Sequence, residues 1–230
     1  MARVAVTTTP DRYRRYAARL ADLGLIPIML PCIELTVESG EILATAREKA
    51  SRADWIVLTS ARAVEVLWPH GGMPPTPVAA VGPHTAAAVG EAGGRIGMVG
   101  DGGASRMTNE LAALVVGRSV FFAHASGADL RTASALRDAG AAVSTEEVYG
   151  VTPISPGSEP VDAAMFASPS AVSGWFLTRD LRGLLVGAVG PTTASAISRK
   201  GVRSDVIPQQ PSFDRLARRM AEKLSEWSAV

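Results

Sequence analysis

Short apolar segments alternate with helical patterns along almost the entire chain. The first such unit is RVAVTTT, followed by a predicted helix over residues 11–23 that Gly24 should end, and then by LIPIML. Seven further apolar segments each precede a helix-like stretch: ADWIVLT, VAAVG, RIGMV, SVFFAHA, VDAAMFA, LLVGAVG and SDVIPQ. This alternation predicts parallel sheets covered by helices on both faces, which is the doubly wound α/β class.

One sequence pattern occurs twice. VAAVGPHTAAAVG begins at Val78 and VGAVGPTTASAIS begins at Val186, a shift of 108 residues. The same shift lays LTSARAV over FASPSAV, so two motifs repeat in one register. A repeat of this length indicates two similar domains, because the units of a solenoid are much shorter.

The domain boundaries follow from the size of the cores. A first domain that ran without a break to Tyr149 would leave only ~70 residues for the second, too few for a stable core. We therefore expect residues 1–31 plus 155–230 to form a discontinuous α/β domain and residues 38–145 an inserted one. Residues 32–37 and 146–154 are the expected linker strands, paired antiparallel, a connection that permits hinge motion and leaves a cleft.

Composition and charge are those of an ordinary soluble globular protein. The 230 residues are 47% hydrophobic and 20% charged, and the net charge of +1 favours neither a nucleic-acid nor a membrane partner. Cys32 is the one cysteine, so we expect no internal disulfide and a cytoplasmic setting. His70, His84 and His124 lack ligand spacing, and the chain has neither a signal-peptide core nor a glycine-rich nucleotide motif. We therefore expect no metal, cofactor or membrane span.

Hydroxyl residues follow the predicted strands at four places. These places are Thr59 with Ser60, His84 with Thr85, Ser168 with Ser170, and Thr192 with Thr193. A helix should begin at each, with its free N–H groups and dipole at the carboxyl edge of a parallel sheet, where anions bind. Helix capping without any ligand is the simpler interpretation of each place alone. Together the four places favour a large ligand with several negative charges.

Six segments carry a resemblance to a known family. They are VLTSARAVE, VAAVGPHTAAAVGEAG, EVYGVTP, FASPSAVSGW, VGAVGPTTASAISRKG and PQQPSFDRLARRM. In this order and spacing they resemble uroporphyrinogen-III synthases over nearly the entire chain. The resemblance implies a two-domain lyase of porphyrin and haem biosynthesis that needs no metal or cofactor. Apart from the resemblance, we expect a monomer. Such an enzyme closes hydroxymethylbilane, a linear tetrapyrrole with eight carboxylates, into uroporphyrinogen III with ring D inverted and water lost.

The resemblance also implies roles for individual residues. Tyr149 in EVYGVTP corresponds to the family's tyrosine at the crossing between domains, where the phenol would donate a hydrogen bond or a proton to the leaving hydroxyl. Packing of its ring in the linker strand is the alternative. The protein must hold the chain ends close and prevent direct closure to the uninverted type I isomer. Substrate binding is implied for seven hydroxyl residues: Thr59, Ser60, Thr85, Ser168, Ser170, Thr192 and Thr193.

The chain departs from the family pattern at one place. Thr8-Thr9-Pro10 stands where the family usually has Thr-Arg-Pro, so a positive contact to a substrate carboxylate is missing. Arg12, in the next turn, is the candidate to replace it. A second hypothesis remains open, in which the chain is a hinged, non-catalytic binder or sensor of an anionic small molecule. Such a protein would not need Tyr149.

Overall fold

The structure, a computed structural model, describes residues 1–101 and 103–227. The chain divides into two compact units. The first unit consists of Met1–Leu35 and the chain from Val151 onward, and the second unit is Thr36–Gly150. Each unit contains a sheet with parallel strand pairs flanked by helices, which confirms the predicted α/β class.

Strands and helices of the described residues are numbered in chain order. The strands are β1 (Arg3–Val6), β2 (Ile26–Met29), β3 (Ile33–Val37), β4 (Trp55–Leu58), β5 (Pro77–Ala80), β6 (Arg95–Val99), β7 (Ser119–Ala125), β8 (Ala142–Pro153), β9 (Ala163–Phe166) and β10 (Leu185–Ala188). The helices are α1 (Pro10–Ala21), α2 (Gly40–Arg52), α3 (Ala61–Leu67), α4 (Pro83–Glu91), α5 (Ala104–Ala112), α6 (Arg131–Asp138), α7 (Pro169–Trp175), α8 (Pro191–Ser198) and α9 (Phe213–Trp227).

The first unit contains a four-stranded sheet in the order β10-β9-β1-β2, with neighbouring strands parallel. Successive side chains of β1 pack on opposite faces of the sheet. Ala5 belongs to a buried cluster with Trp175 of α7, whereas Val4 and Val6 belong to another with Leu20 of α1. Because helices cover both faces of the sheet, a strand can be apolar throughout, and every residue of the central strand β9 and of the edge strand β10 is buried.

The second unit contains most of a six-stranded sheet in the order β3-β8-β7-β4-β5-β6. Val57 of β4 and Phe122 of β7 pack with Met107 of α5 and Leu136 of α6. Helix α2 contacts β7, and α3 contacts both β4 and β7, as expected for a doubly wound sheet. The strands β3 and β8, which contain most of the predicted linker segments, are neighbours at one edge.

The first helix begins and ends where the sequence indicates, to within two residues. Pro10 lies in its first turn, where a missing N–H group costs nothing. After the helix, Gly24 has a φ of +74°, a conformation that favours glycine, and Leu25 N donates to Leu20 O at 3.1 Å. This closing turn directs the chain into β2.

The prediction of a strand over SDVIPQ is wrong. Within it, Val206 forms only an isolated bridge to Gly187 of β10. Val206 N donates to Val186 O at 3.2 Å, and Ala188 N donates to Val206 O at 2.9 Å. The next bond of this ladder would need an N–H group at Pro208, which proline lacks. The pairing therefore stops after one residue.

Candidate active site

The strand order creates a topological switch point in the second unit. From β4 the chain moves outward to β5 and β6, and then returns to β7 and β8 on the other side of β4. The carboxyl ends of β4 and β7 are adjacent, and their connections lead in opposite directions. Ligands of open α/β sheets bind in the crevice that such a switch point opens outside the carboxyl ends of the strands. Residues that follow β4 and β7 are therefore the first candidates for a site.

Ser60 follows β4 and starts α3. Its backbone is extended, with φ −149° and ψ 134°, and its Oγ accepts a hydrogen bond from Arg62 N at 3.0 Å. This is the side-chain capping that the sequence predicts for this position. Thr59, just before it, is half-buried. The capping bond fixes the position of the Ser60 oxygen beside the crevice.

Tyr149 reaches the same crevice from β8. The register between β7 and β8 shifts by one residue just before Ala125, which pairs with Tyr149. Ser126 N donates to the Tyr149 carbonyl oxygen at 2.7 Å, and the Tyr149 hydroxyl donates to Ser60 Oγ at 2.9 Å. Tyr149 is only 6% exposed. Its side chain therefore extends from the end of β7 to the start of the helix that follows β4.

Arg62 is a residue near this pair that the sequence analysis did not single out. Its side chain is only 12% exposed, and its guanidinium forms an ion pair with Glu65 at 3.1 Å. A largely buried arginine needs such a partner, because desolvation of the charge is costly. The signal for it was present, since Arg62 belongs to the same LTSARAV motif as Ser60. It places a positive charge in the first turn of α3.

The Gly-Pro motifs start their helices differently from the prediction. Capping by the hydroxyl residues is wrong here, because Gly82 and Gly190 are the N-caps and no side chain caps either helix. Both glycines are extended, with φ of −177° and −172°. The proline takes the first helical position, so Thr85 and Thr193 fall in the third, where they are 4% and 3% exposed. The preceding residues, His84 and Thr192, are exposed instead.

A second switch point lies in the first unit, between β1 and β9. Ser168 follows β9 and caps α7 by accepting from Ala171 N at 3.2 Å, as predicted, and Ser170 lies half-buried in the first turn. Thr7, which the sequence analysis did not select, donates its hydroxyl to Met165 O at 2.7 Å. This buried bond ties together the carboxyl ends of β1 and β9.

Thr9 lies at the start of α1, 3% exposed, beside a pocket of about 300 Å³. Asp11 and Glu34 are among the residues that line this pocket. Their negative charge is opposite to that of the arginine that the resemblance led us to expect at position 9. Arg12 is half-buried, and its replacement of that arginine stays a prediction.

Cys32 is a poor candidate for nucleophilic chemistry. Its side chain is fully buried, and this burial raises the pKa of the thiol from 9.0 to about 12, although the charge of Arg179 opposes part of the rise. The thiol is therefore protonated at neutral pH, whereas the thiolate is the reactive form.

The described residues contain neither a metal-binding cluster nor a membrane-spanning helix. Among residues 1–101 and 103–227, no group of three or more His, Cys, Asp or Glu side chains is arranged to hold a metal ion. Within these same ranges, every helix is too short or too polar to cross a membrane.

Comparison with known proteins assigns the chain to a family. The family model described as "Uroporphyrinogen-III synthase HemD" matches residues 14–218, which is most of the chain. No curated protein matches the chain significantly. Among solved structures, a mutant uroporphyrinogen III synthase from the extremely thermophilic bacterium Thermus thermophilus is 20% identical with a TM-score of 0.65, covering 98% of this chain and 100% of its own. Uroporphyrinogen-III synthetase from Helicobacter pylori is 17% identical with a TM-score of 0.66, covering 97% and 100%.

At these identities the structural likeness concerns the fold alone. The family model, in contrast, spans the segments that contain Ser60, Tyr149 and Ser168. The chain therefore belongs to the uroporphyrinogen-III synthase family.

Proposed function

We infer that this chain closes hydroxymethylbilane into uroporphyrinogen III, inverting ring D and releasing water. The match of the family model over residues 14–218 is the observation that carries this conclusion. The family reaction is a lyase step of porphyrin and haem biosynthesis. A non-catalytic binder or sensor is not favoured, because it would not account for membership of an enzyme family.

Tyr149 is proposed as the general acid that assists departure of the substrate hydroxyl. A general acid must lie within hydrogen-bonding reach of the group to which it gives its proton. The position of its hydroxyl, 2.9 Å from Ser60 Oγ at the switch point of the second unit, supports this role. Its 6% exposure also suits proton transfer in a site from which water is largely excluded.

Six hydroxyl residues are proposed to bind substrate carboxylates together with the backbone N–H groups near them. The positions of α4 and α8 support this, because each helix begins just after the carboxyl end of a parallel strand and directs its positive dipole end there. Backbone groups can bind carboxylates without a cluster of lysines, which fits the net charge of +1. The six residues are Thr59, Thr85, Ser168, Ser170, Thr192 and Thr193.

The two units are proposed to be two domains joined by antiparallel strands. Two hydrogen bonds support the direction: Glu38 N donates to Val148 O at 3.2 Å, and Ile154 N donates to Cys32 O at 2.9 Å. The partner of a residue therefore lies later in the second segment when the residue lies earlier in the first, as in an antiparallel pair.

We also propose that the protein acts as a cytoplasmic monomer. Its lone cysteine is compatible with a reducing compartment.

Catalysis can be separated from binding by a rate measurement. Purified protein, far below the substrate concentration, should accelerate the conversion of fresh hydroxymethylbilane to cyclic product over the uncatalysed rate. The product is measured as uroporphyrin after oxidation. A binder would at most protect one equivalent of bilane, so a rate equal to that of the protein-free solution would contradict the proposal.

A further inference from the structure

The hydroxyls of Tyr149 and Ser60 form a pair that secondary structure holds at both ends. Ser60 Oγ accepts from Arg62 N at 3.0 Å and from the Tyr149 hydroxyl at 2.9 Å. The serine is fixed by the start of α3. The tyrosine backbone is fixed by Ser126 N, directly after the end of β7, at the point where the register of β8 shifts. Displacement of either residue would therefore disturb a bond to a secondary-structure element.

The hydrogen-bonding capacity of the two hydroxyls decides what the pair can do. A serine hydroxyl has one proton and two lone pairs, and the two donors to Ser60 occupy both lone pairs. Its own proton is still available for donation. When the Tyr149 proton moves toward another acceptor, Ser60 can reverse the bond and donate to the tyrosine oxygen. The pair thus stays connected in both states.

We propose that Ser60 is a positioning residue that acts through Tyr149, and not a contact for a substrate carboxylate. The inference rests on the proposed role of Tyr149. In that step the phenol proton moves to the hydroxyl oxygen of the bilane, and the carbon–oxygen bond breaks with its electron pair going to the departing water. An azafulvene cation and a phenolate remain. Ser60 then donates to the phenolate oxygen, a charge-assisted bond that stabilises the developing charge.

The internal repeat provides a comparison within the same molecule. Ser168 stands at the matching position of the first unit and accepts from Ala171 N at 3.2 Å. The two other tyrosines of the chain have different contacts: Tyr13 donates to a carbonyl oxygen of β2, and Tyr16 stacks on Phe213. Capping is therefore common to both serines, whereas the bond to Tyr149 distinguishes Ser60.

A double-mutant cycle on turnover tests the proposal. Ser60→Ala should lower kcat about 10-fold or more and change KM less than about 3-fold, because the interaction acts on the transition state. Ser60→Thr keeps a hydroxyl and a capping oxygen, so it should restore kcat to within about 3-fold of wild type. In the Tyr149→Phe background, Ser60→Ala should have almost no further effect on kcat, since both residues act as one unit.

Ser39→Ala is the matched control for loss of a cap. Ser39 caps α2 in the same unit by accepting from Ile42 N at 3.4 Å. Its removal should lower the free energy of unfolding through loss of a helix cap, as Ser60→Ala does, whereas kcat should stay at the wild-type value. Two results would overturn the proposal: a raised KM with unchanged kcat in Ser60→Ala, or effects of Ser60→Ala and Tyr149→Phe that multiply.

A spectroscopic measurement distinguishes this proposal from the proposed function. In protein labelled with 3-fluorotyrosine, the ¹⁹F resonance of Tyr149 is identified by its loss in Tyr149→Phe. It should shift in Ser60→Gly, because glycine removes the hydroxyl that Tyr149 contacts. Glycine is tolerated at an N-cap, so this variant should fold even if Ser60→Ala does not. An unchanged resonance would overturn the pairing regardless of activity. A shifted resonance in a protein that makes no type III product would support the pairing and overturn the proposed function.

Discussion

The proposed chemistry depends on one atom, the hydroxyl oxygen of Tyr149. Tyr149→Phe removes it and keeps the ring, so turnover should fall about 10²-fold or more. Stability should change only by the loss of one hydrogen bond, about 0.5–1.5 kcal/mol. Steady-state assays and urea unfolding measure the two effects.

Tyr13→Phe is the matched control for Tyr149→Phe. The Tyr13 hydroxyl donates to Pro27 O at 3.0 Å, so the control also loses one hydrogen bond of a tyrosine. It should keep wild-type turnover. Unchanged turnover in Tyr149→Phe itself would leave that tyrosine as a packing residue.

The thiol of Cys32 makes folding stability depend on alkaline pH. Because burial raises its pKa from 9.0 to about 12, the folded chain holds a proton that the unfolded chain releases above pH 9. The stabilisation is complete below pH 9 and is lost as the pH rises toward about 12, by at most about 1.4 kcal/mol per pH unit. Urea unfolding at pH 8 and pH 10 should show a smaller decline in Cys32→Ala than in wild type. An equal decline in both proteins would contradict the raised pKa.

Single residues could be predicted where a local pattern decides their conformation. Ser60 and Ser168 follow apolar strands and precede helical patterns, which is sufficient to recognise them as caps. The bond from Tyr149 to Ser60 was not predictable, because it joins residues 89 apart and depends on the register shift in β8. Such a shift turns a side chain to the other face of a sheet. No local pattern encodes it.

At the scale of elements, α7 approaches its neighbours so closely that one position requires glycine. A Cβ atom on Gly174 would overlap the carbonyl oxygen of Cys32 and lie 2.7 Å from that of Ile154. These two residues are themselves joined by the bond from Ile154 N to Cys32 O. Their backbone therefore cannot shift away without losing a hydrogen bond.

Replacement of this glycine should consequently destabilise the protein. We expect Gly174→Ala to lower the free energy of unfolding by about 1–3 kcal/mol, the usual cost of overpacking. Gly90→Ala in α4 is the control, since nothing lies within 4 Å of its Cβ position, and it should stabilise by about 0.5–1 kcal/mol. Urea unfolding measures both. Equal effects of the two substitutions would show that α7 is less tightly packed than described.

Helices and strands were predictable from apolar periodicity. The predictions failed where backbone hydrogen-bond donors decide the outcome. SDVIPQ has the composition of a strand, but Pro208 cannot continue its ladder. The helices after the Gly-Pro motifs were expected, but the N-cap of each is the glycine and not a hydroxyl residue. Thr85 and Thr193 are thereby moved from capping positions into buried ones.

At the scale of the whole molecule, the repeat predicted two related units but not their different sheets. The matching capping serines and Gly-Pro turns have similar backbone angles in both units. The sheets nevertheless have four and six strands, because β3 and β8 extend only one of them. The repeated motifs lie at strand ends and do not specify the edges of a sheet.

The continuous second unit should fold independently. A fragment of residues 36–150 keeps β4–β7, most of β8 and helices α2–α6, and its size is typical of a domain. We expect a mixed helix and strand circular-dichroism spectrum and one cooperative urea transition. A spectrum of an unfolded chain would contradict the proposal that this unit is a domain.

The isomer of the cyclic product tests the central claim most directly. Hydroxymethylbilane also closes without an enzyme, and that route joins the chain ends directly to give the type I macrocycle. Catalytic amounts of the protein, with no added metal or cofactor, should direct fresh bilane mainly to uroporphyrinogen III, which is oxidised and separated from its isomer by chromatography. Formation of type I alone, even with protein equimolar to substrate, would contradict the account.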